Sequence, residues 1–196
     1  MWNEKFSGTD YLYGTEPNEF LRECAELIRD KQKILCLAEG EGRNAVHLAQ
    51  QGHKVTAVDA SEVGLAKAEK LAQSRGVQIK TQVVDLAEFE FAENEWDAVV
   101  SIFCHLPPAL RKRVHQGVVK SVRPGGYFIL EGYHPKQLNH STGGPKNIEL
   151  LMTLDELKQE LTGFCWQHEA QVCRNIKEGH GHTGDGWVTQ LFGTLD

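Results

Sequence analysis

Two glycines and an acid in the first third of the chain have the types and spacing of a nucleoside-binding site. Gly40 and Gly42 follow an apolar run at 34–37 and precede a stretch with helical periodicity. Because glycine has no Cβ, the backbone there can approach a ligand closely where a helix begins. Asp59 follows the next apolar run, and a carboxylate in that position accepts hydrogen bonds from ribose hydroxyls. The stretch 34–59 therefore predicts half of a nucleoside-cofactor site.

The glycine turn by itself does not identify the cofactor. Residues 40–45 are Gly-Glu-Gly-Arg-Asn-Ala, which satisfies the dinucleotide fingerprint G-x-G-x-x-G with alanine in the last position. On this motif alone, a NAD(P)-dependent oxidoreductase is a fair interpretation. The choice of cofactor therefore depends on features elsewhere in the chain.

Four histidines follow predicted strands and are candidate catalytic residues. His105 comes after the fourth predicted strand and His134 after the fifth. His180 and His182 lie in a glycine-rich link at 178–186. Near neutral pH, an imidazole can take a proton from a weakly acidic group such as a thiol. Loop histidines are also commonly exposed and without a role, so each of the four has that alternative.

A metal site built from these histidines is not predicted. His180, His182 and His134 could ligate a metal, but neither a cysteine nor an acid stands at recognisable ligand spacing. His47, on the helix after the glycine turn, and His168, within a predicted strand, have the positions of structural residues.

Predicted strands and helices alternate along the chain and would bring these residues to one edge of a sheet. The five predicted strands cover residues 34–37, 55–58, 77–84, 96–104 and 127–131. Amphipathic stretches separate them, such as the apolar stripe with four-residue spacing after Pro107. Five strands that alternate with helices indicate a parallel, doubly wound α/β sheet.

The end of the chain breaks this alternation. A short predicted helix begins at Thr153, with Glu156 at the spacing of a capping box. Two further predicted strands, at 166–176 and 187–192, flank the glycine-rich link 178–186. Strands joined in this way predict an antiparallel hairpin at the end of the sheet.

The N-terminal residues 2–14 are rich in aromatic side chains and have no clean period. Two interpretations are open for them. They form either an arm that packs on the domain or a lid whose aromatic rings exclude water from the cofactor cleft. A predicted helix follows from Thr15, so residues 1–30 form an N-terminal arm and helix.

Length, charge and cysteine content restrict the class of protein. At 196 residues the chain is long enough for one domain, 1–196, and too short for two ordinary ones. A net charge of −6 argues against nucleic acid and anionic membrane as partners. The basic run 111–113 is interpreted as a solvated helix face rather than a phosphate site. No apolar run could span a membrane, and the five cysteines lack C-x-x-C spacing, so a cytoplasmic protein with reduced thiols is favoured.

Several features together resemble one enzyme family. Asp85 follows the third predicted strand, where a carboxylate can accept a hydrogen bond from an adenine amino group, and a Pro-Gly-Gly turn at 124–126 precedes the fifth. With the glycine turn, Asp59 and the terminal hairpin, these features resemble the class I S-adenosylmethionine-dependent methyltransferases. Residues 2–21 and 39–59 are similar to the branch of that class with tellurite-resistance and thiol methyltransferases.

The resemblance implies a fold, a cofactor and a set of cofactor-binding residues. The fold is a Rossmann-like, doubly wound α/β sheet of seven strands, mostly parallel, with one antiparallel strand in the C-terminal hairpin. The cofactor is S-adenosyl-L-methionine, and S-adenosyl-L-homocysteine is its product. The residues that match the family's motifs or stand beside them are Glu39, Gly40, Gly42, Arg43, Asp59, Ala60, Asp85, Leu86 and Ser101.

The glycine turn departs from the family pattern D-x-G-x-G-x-G at two positions. Cys36 stands where the acid is usual, and Ala38 stands where the first glycine is usual. The usual acid helps to hold the methionyl ammonium, so we expect Glu39 or Glu41 to take that role. Arg43 is expected to meet the methionyl carboxylate, supported by the N-terminus of the helix that it begins.

The expected function is methyl transfer from S-adenosylmethionine to a small-molecule acceptor. The C-terminal residues 175–196 have few fixed cations for an oxyanion, which favours a thiol or chalcogen compound. Two alternatives stay open: a NAD(P)-dependent oxidoreductase, and a protein that binds S-adenosylmethionine without turnover. We expect the loop 132–145 and the hairpin link to frame the acceptor pocket. The sequence does not predict the oligomeric state.

Overall fold

The computed structural model describes residues Met1–Asp196, and all seven strands lie in one sheet. In chain order the strands are β1 (Lys33–Leu37), β2 (Lys54–Asp59), β3 (Lys80–Val83), β4 (Trp96–Ile102), β5 (Val122–Tyr133), β6 (Phe164–Glu178) and β7 (His182–Leu195). The helices are α1 (Trp2–Lys5), α2 (Glu19–Ala25), α3 (Arg43–Gln50), α4 (Glu62–Ser74), α5 (Pro108–Ser121) and α6 (Leu154–Glu160). Two short 3₁₀ segments follow β5, at Pro135–Asn139 and Ile148–Leu150. None of the helices is both long enough and apolar enough to cross a membrane.

The order of the strands across the sheet is β3-β2-β1-β4-β5-β7-β6. Strands β1 to β5 are parallel to one another, whereas β7 is antiparallel to both β5 and β6. The predicted fold, a doubly wound seven-stranded sheet with one antiparallel strand in a C-terminal hairpin, is confirmed. The strand order reverses between β1 and β4, and ligands of such sheets bind at the carboxyl ends of the strands beside that point.

Strand β1 is buried on both faces, as a parallel sheet covered by helices requires. Ile34 and Cys36 belong to a core cluster that includes buried residues of α2 and α3. Leu35 and Leu37 belong to a second cluster with buried residues of α5 and α6. All four side chains are at most 1% exposed. The strand that leads into the glycine turn is therefore fixed from both sides.

The first long helix begins later than predicted. Residue 15 was the expected start, but α2 begins at Glu19. The side chain of Asn18 accepts the backbone N–H of Leu21 at 2.9 Å and so caps the helix at this point. The buried face of α2 consists of Phe20, Leu21, Cys24 and Ala25.

Two other helices also begin at side-chain caps. Ser61 is the N-cap of α4, and its hydroxyl accepts the backbone N–H of Gly64 at 3.0 Å. Thr153 and Glu156 form the predicted capping box at the start of α6. Both caps satisfy N–H groups that have no partner inside the helix.

The third strand is shorter than the predicted range 77–84, because β3 comprises only Lys80–Val83. The backbone N–H of Val77 donates to the carbonyl of Ala72 at 3.0 Å, which ties this residue to the end of α4. Val77 and Ile79 lie before the strand and pack against two core clusters. Their apolar character reflects this packing rather than strand pairing.

The last strands are longer than predicted, and the link between them is shorter. The expected link was 178–186, but only residues 179–181 separate β6 from β7. Glu178 and His182 are paired directly in the register of the hairpin. Backbone pairing on β6 draws residues 182–186 into β7, although their glycines are unfavourable in a strand. Strand β5 likewise exceeds the predicted 127–131.

Arg111 does not lie on a solvated helix face, so the interpretation of the basic run was wrong for this residue. Its side chain is 3% exposed, and Nη2 lies 3.0 Å from Oε1 of Glu160 on α6. Lys112 and Arg113 are exposed, as expected. The packing of α6 on α5 brings the acid to Arg111, and no local pattern indicates that contact.

Candidate cofactor and acceptor site

The glycine turn after β1 has a left-handed backbone at three alternate residues. Gly40 and Gly42 have φ angles of 62° and 90°, and Ala38 has a φ angle of 48°. A Cβ on Gly42 would lie 2.4 Å from the Cβ of Ala68 on α4, so only glycine fits there. Ala38 keeps the left-handed conformation at a cost of about 1–2 kcal/mol for an L residue. The departure in sequence at this position therefore leaves the conformation of the turn in place.

Asp59 ties the glycine turn to the end of β2. Its Oδ2 accepts the backbone N–H of Gly40 at 2.9 Å, and its Oδ1 accepts that of Ser61 at 2.7 Å. Burial raises the pKa of Asp59 above its ordinary value, although these N–H groups lower it. Each carboxylate oxygen keeps a further lone pair, so Asp59 can hold the turn and accept from a ligand at once. The next residue, Ala60, is exposed.

Glu39 caps α3 from within the turn. Its Oε1 accepts the backbone N–H groups of Asn44 at 2.9 Å and Ala45 at 2.8 Å. Burial raises the pKa of Glu39 to about 7, although these N–H groups lower it. Burial and the nearby Glu39 also raise the pKa of the Cys36 thiol well above its ordinary value. Cys36 is thus a neutral thiol where the family usually has an acid, and Glu39 lies beside it.

Arg43, the first residue of α3, is already engaged within the protein. Its Nη2 lies 2.7 Å from Oε2 of Glu178, and both side chains are less than 10% exposed. Its Nη1 is enclosed and has no hydrogen-bond partner. The N–H groups at the start of α3, which were expected to support a ligand carboxylate, are capped by Glu39 instead. One edge of the guanidinium is left for a ligand.

The remaining predicted cofactor residues lie at the ends of β3 and β4. Asp85 is exposed, and its Oδ1 accepts the backbone N–H of Ala87 at 2.8 Å. Leu86 beside it is 6% exposed. Ser101 is 3% exposed on β4, in register with Leu37 at the end of β1. These residues flank the carboxyl ends of the strands on either side of the glycine turn.

The N-terminal arm lies on the glycine turn. Phe6 is 3% exposed, and a Cβ placed on Gly40 would meet its ring at 3.1 Å. Trp2 stacks on Phe6 with ring centroids 5.4 Å apart, and Tyr13 approaches the other side at 6.4 Å. The aromatic residues noted in the sequence thus cover the turn from outside.

Lys67 on α4 fastens this arm. Its Nζ forms an ion pair with the buried carboxylate of Glu41 in the glycine turn. It also donates to three carbonyls of the arm, those of Phe6, Gly8 and Asp10, at 3.3, 3.0 and 2.7 Å. The other oxygen of Glu41 accepts the backbone N–H of Leu12 at 2.7 Å. Sequence reasoning missed Lys67, since nothing local distinguishes it from other helix lysines.

A cluster of aromatic rings and two histidines lies at the carboxyl ends of β4 and β5. The ring of His182 has its centroid 4.4 Å from Tyr13, 4.6 Å from Phe103 and 5.3 Å from Tyr133. His105 stacks on Tyr133 at 5.6 Å. The hydroxyl of Tyr133 and Nδ1 of His182 are enclosed and have no hydrogen-bond partner. The structure therefore brings together two of the four candidate histidines, along with Tyr13 from the arm.

His105 is held by the backbone. Its Nε2 accepts the N–H of Tyr133 at 2.9 Å. Burial, together with the nearby His182, lowers the pKa of His105 to about 3. The ring is thus neutral, and its Nε2 lone pair is already occupied.

His134 and His180 lie apart from this cluster. His134 caps the 3₁₀ segment Pro135–Asn139, where its Nδ1 accepts the N–H of Lys136 at 3.1 Å, and its ring faces Trp187 at 5.9 Å. His180 is exposed in the turn between β6 and β7. No group of three or more histidine, cysteine, aspartate or glutamate side chains is arranged to hold a metal ion.

A buried network of charges lies beneath the aromatic cluster. Glu131 on β5 is completely buried and pairs with Arg174 on β6, whose Nε donates to Oε2 at 3.0 Å. Asn18 bridges this pair to Glu178, because its Nδ2 donates to Glu131 at 2.7 Å and to Glu178 at 2.8 Å. Sequence reasoning missed all four residues. The one available signal was the position of Glu178 opposite His182 in a tight hairpin.

Comparison with known proteins agrees with the resemblance inferred from the sequence. Residues 34–126 match the protein family described as methyltransferase domain. The matched residues begin in β1, end in β5, and include the glycine turn, Asp59 and Asp85.

Three relatives have names that give an activity. The uncharacterized methyltransferase sll0829 of Synechocystis sp. is 38% identical over 106 residues, which are 53% of this chain and 48% of that protein. The 2-heptyl-1-hydroxyquinolin-4(1H)-one methyltransferase of Mycobacteroides abscessus is 27% identical over 150 residues, 75% of this chain and 64% of that one. The tRNA 5-carboxymethoxyuridine methyltransferase of Escherichia coli K12 is 26% identical over 190 residues, 85% and 72% of the two chains. The chain spans less than two thirds of the length of the first two relatives.

Solved structures share the fold. TehB from Haemophilus influenzae has a TM-score of 0.75 and 17% identity over 100% of this chain and 66% of that one. Magnesium protoporphyrin IX methyltransferase from Synechocystis PCC 6803, solved with bound S-adenosylhomocysteine, has a TM-score of 0.68 and 16% identity over 89% and 78%. The domain match and the fold together confirm the resemblance to the class I S-adenosylmethionine-dependent methyltransferases.

Proposed function

We propose that this protein transfers a methyl group from S-adenosylmethionine to a small-molecule acceptor, because it has the domain and the fold of the class I methyltransferases. The main support is the glycine turn, which Asp59 holds in place. The same site contains enclosed polar atoms that have no hydrogen-bond partner in the protein. These atoms are Nη1 of Arg43 and Oη of Tyr133. A buried polar atom without a partner costs about 1–3 kcal/mol, so the two together favour a site completed by a polar ligand.

The predicted cofactor residues fit S-adenosylmethionine, which supplies an electrophilic methyl group when bound. We assign the ribose hydroxyls to Asp59, because its two oxygens keep free lone pairs at the end of β2. We assign the adenine to Asp85 and Leu86, after β3, and the side of the cofactor along β4 to Ser101. Ala60 is assigned to the ribose side, since it follows Asp59 and is exposed.

Glu39, rather than Glu41, is proposed to hold the methionyl ammonium. Glu41 is already bound to Lys67 and to the N–H of Leu12, and both contacts turn it toward the arm. Glu39 lies beside the position of the usual acid. Nη1 of Arg43 is proposed for the methionyl carboxylate, because it is enclosed and unpartnered.

We propose that the arm, residues 2–14, is a lid. Phe6 covers the glycine turn, and Tyr13 contacts His182. Methyl transfer requires that water be kept from the reacting atoms, and aromatic rings at these positions exclude it. The ion pair of Lys67 with Glu41 and its three bonds to arm carbonyls hold the lid closed.

The acceptor proposed is a small thiol or chalcogen compound. The aromatic cluster at the ends of β4 and β5 offers apolar walls rather than a set of fixed cations for an oxyanion. The net charge of −6 gives no favourable field for nucleic acid. Because one relative is named for tRNA, a tRNA substrate belongs in the assay as the competing outcome.

Binding and turnover test the proposal separately. S-adenosylmethionine or S-adenosylhomocysteine is expected to raise the melting temperature, while NADH and NADPH are not. The opposite result would support the oxidoreductase alternative. Isotope-labelled S-adenosylmethionine is then incubated with a panel of thiols, selenols, phenols and bulk tRNA. Label in tRNA alone would overturn the small-molecule acceptor, and binding without any labelled product would favour a protein without turnover.

A further inference from the structure

We propose that His182, oriented by Glu178, is the general base that takes the proton from the acceptor. The acceptor is then a weakly acidic S–H or O–H group on a flat apolar body, such as an aryl or benzyl thiol or a phenol. This inference rests on the proposed function, since it names the acceptor class and the base of the same reaction.

The two side chains face each other across the hairpin. Glu178 ends β6 and His182 begins β7, and the two are direct partners in the strand register. Oε2 of Glu178 lies 3.6 Å from Nδ1 of His182. Nδ1 is enclosed and is the ring nitrogen paired with this carboxylate. The ring thus directs Nδ1 at Glu178 and leaves Nε2 for the acceptor. The distance to Glu178 exceeds a hydrogen bond, and such contacts commonly shorten when substrate binds.

Glu178 is held as a fixed carboxylate. Its oxygens contact Nη2 of Arg43 at 2.7 Å, Nδ2 of Asn18 at 2.8 Å and Nη2 of Arg174 at 3.4 Å. Burial alone would raise the pKa of Glu178, but His182 and the two arginines lower it to about 2. A charged carboxylate next to Nδ1 selects the tautomer with its proton on that nitrogen. It also stabilises the imidazolium that forms when Nε2 takes a proton.

The rings around His182 keep it neutral before the reaction. Tyr13, Phe103 and Tyr133 pack against it at 4.4 to 5.3 Å. Burial lowers the pKa of His182 below its ordinary value, although Glu178 raises it. A neutral imidazole has a free Nε2 lone pair at neutral pH, which a base requires. His105 does not have this property, because its Nε2 already accepts a backbone N–H.

The same rings determine the acceptor class. Aromatic walls from the arm, from the end of β4 and from β5 favour a flat apolar acceptor that packs against their faces. The backbone approaches these rings closely at Gly181, where a Cβ would lie 2.3 Å from the ring of Tyr13. A base is useful only if the acceptor arrives protonated. Weakly acidic thiols and phenols meet both conditions.

The step balances in atoms and charge. The proton of the acceptor passes to Nε2 of His182, and the electron pair left on the acceptor forms the new bond to the methyl carbon. The bond from that carbon to the sulfonium breaks, and its electron pair stays on sulfur, which becomes a neutral thioether. His182 then releases the proton to solvent, so the sum is acceptor–H plus sulfonium to acceptor–CH₃, thioether and H⁺.

Acceptors of different acidity test the role of His182. Benzyl mercaptan is mostly protonated at neutral pH, whereas 4-nitrobenzenethiol is ionised. With His182→Gln we expect the rate to fall by roughly 100-fold or more for benzyl mercaptan and by less than about fivefold for 4-nitrobenzenethiol. His180→Gln, in the same turn but exposed, is the matched control and is expected to keep both rates. Glu178→Gln is expected to show the same unequal loss, as a residue that acts through His182.

The outcomes separate this inference from the proposed function. An equal loss of rate for both thiols in His182→Gln would mean a structural role and overturn the proposal. If wild type binds S-adenosylhomocysteine in calorimetry but methylates neither these thiols nor phenols, the acceptor class is wrong. If wild type binds no S-adenosylhomocysteine, the proposed function itself fails. Should His182→Gln not fold, His182→Asn gives the same comparison with a smaller side chain.

Discussion

The carboxylate of Glu39 accepts the backbone N–H of Ala45 at 2.8 Å and so closes the N-terminus of α3 from inside the glycine turn. In the family pattern an acid stands at the position of Cys36, at the end of β1. Here the neighbouring acid belongs to the turn itself and caps the helix. The acid is therefore displaced along the chain and gains a structural role as the cap of α3.

Proton release on ligand binding tests Glu39. Burial raises its pKa from 4.5 to about 7, so near pH 6 the free protein holds a proton there. An ammonium group beside the carboxylate favours the charged form and lowers this pKa. Calorimetry in buffers of different ionisation enthalpy is expected to show release of up to one proton on binding S-adenosylhomocysteine at pH 6 and almost none at pH 8.5. Glu39→Gln is expected to abolish the release, and equal release in both proteins would contradict the assignment.

The raised pKa of Glu39 also predicts how the stability of the fold changes with pH. Between pH 4.5 and about 7 the folded state keeps a proton on Glu39 that the unfolded state has lost. The free energy of unfolding therefore falls as pH rises through this interval. In urea titrations, Glu39→Gln is expected to show a smaller decrease over this interval than wild type. Parallel curves for the two proteins would show that Glu39 titrates at its ordinary pKa.

Asp59 tests the position of the ribose. Asp59→Asn removes the charge and one acceptor oxygen, and hydrogen bonds to charged groups contribute about 1.5–3 kcal/mol. We expect the affinity for S-adenosylhomocysteine to fall by about 10- to 100-fold, as measured by calorimetry. Asp30→Asn, at an exposed acid, is the control and is expected to bind like wild type. Unchanged affinity in Asp59→Asn would mean that the ribose lies elsewhere.

Substitution of two glycines with nearly equal φ angles distinguishes the cost of backbone strain from the cost of steric overlap. Gly42 and Gly52 have φ angles of 90° and 89°. A Cβ on Gly42 would lie 2.4 Å from Ala68, whereas nothing lies within 4 Å of a Cβ on Gly52. Gly52→Ala is expected to cost only the left-handed conformation, about 1–2 kcal/mol. Gly42→Ala is expected to lower the free energy of unfolding by a further amount of about 1–3 kcal/mol, because its Cβ overpacks against Ala68. Urea unfolding measures both costs. Equal costs would show that α4 moves freely away from the turn.

Lys67 tests the lid. Lys67→Met removes the ion pair to Glu41 and three hydrogen bonds to the arm. Because charged hydrogen bonds contribute about 1.5–3 kcal/mol, we expect S-adenosylhomocysteine to dissociate at least about tenfold faster in stopped-flow fluorescence. Lys70→Met, one turn along the same helix and exposed, is the matched control. A normal dissociation rate in Lys67→Met, with an arm that proteases cut more readily, would mean that the arm opens without affecting the cofactor.

Local pattern was sufficient for the order of strands and helices, the terminal hairpin, the glycine turn and the capping box at Thr153. These features depend on apolar periodicity and on residues whose backbone or side chain acts within a few positions. Element boundaries were less predictable. Val77 and Ile79 lie before β3 and pack on the core without strand pairing, so their pattern alone suggested a longer strand.

The sequence by itself determined the class I fold and the positions of Gly42 and Asp59, because glycine conformation and a strand-end acid are local signals. Only the tertiary structure decided which side chains meet. Arg43 pairs with Glu178, 135 residues away in the chain, and Arg111 is buried against Glu160, 49 residues away. Such contacts form where separate elements pack, and no periodicity of one element specifies the partner. The acids and histidines of the site were visible in the sequence, but their pairing depends on the register of the final hairpin.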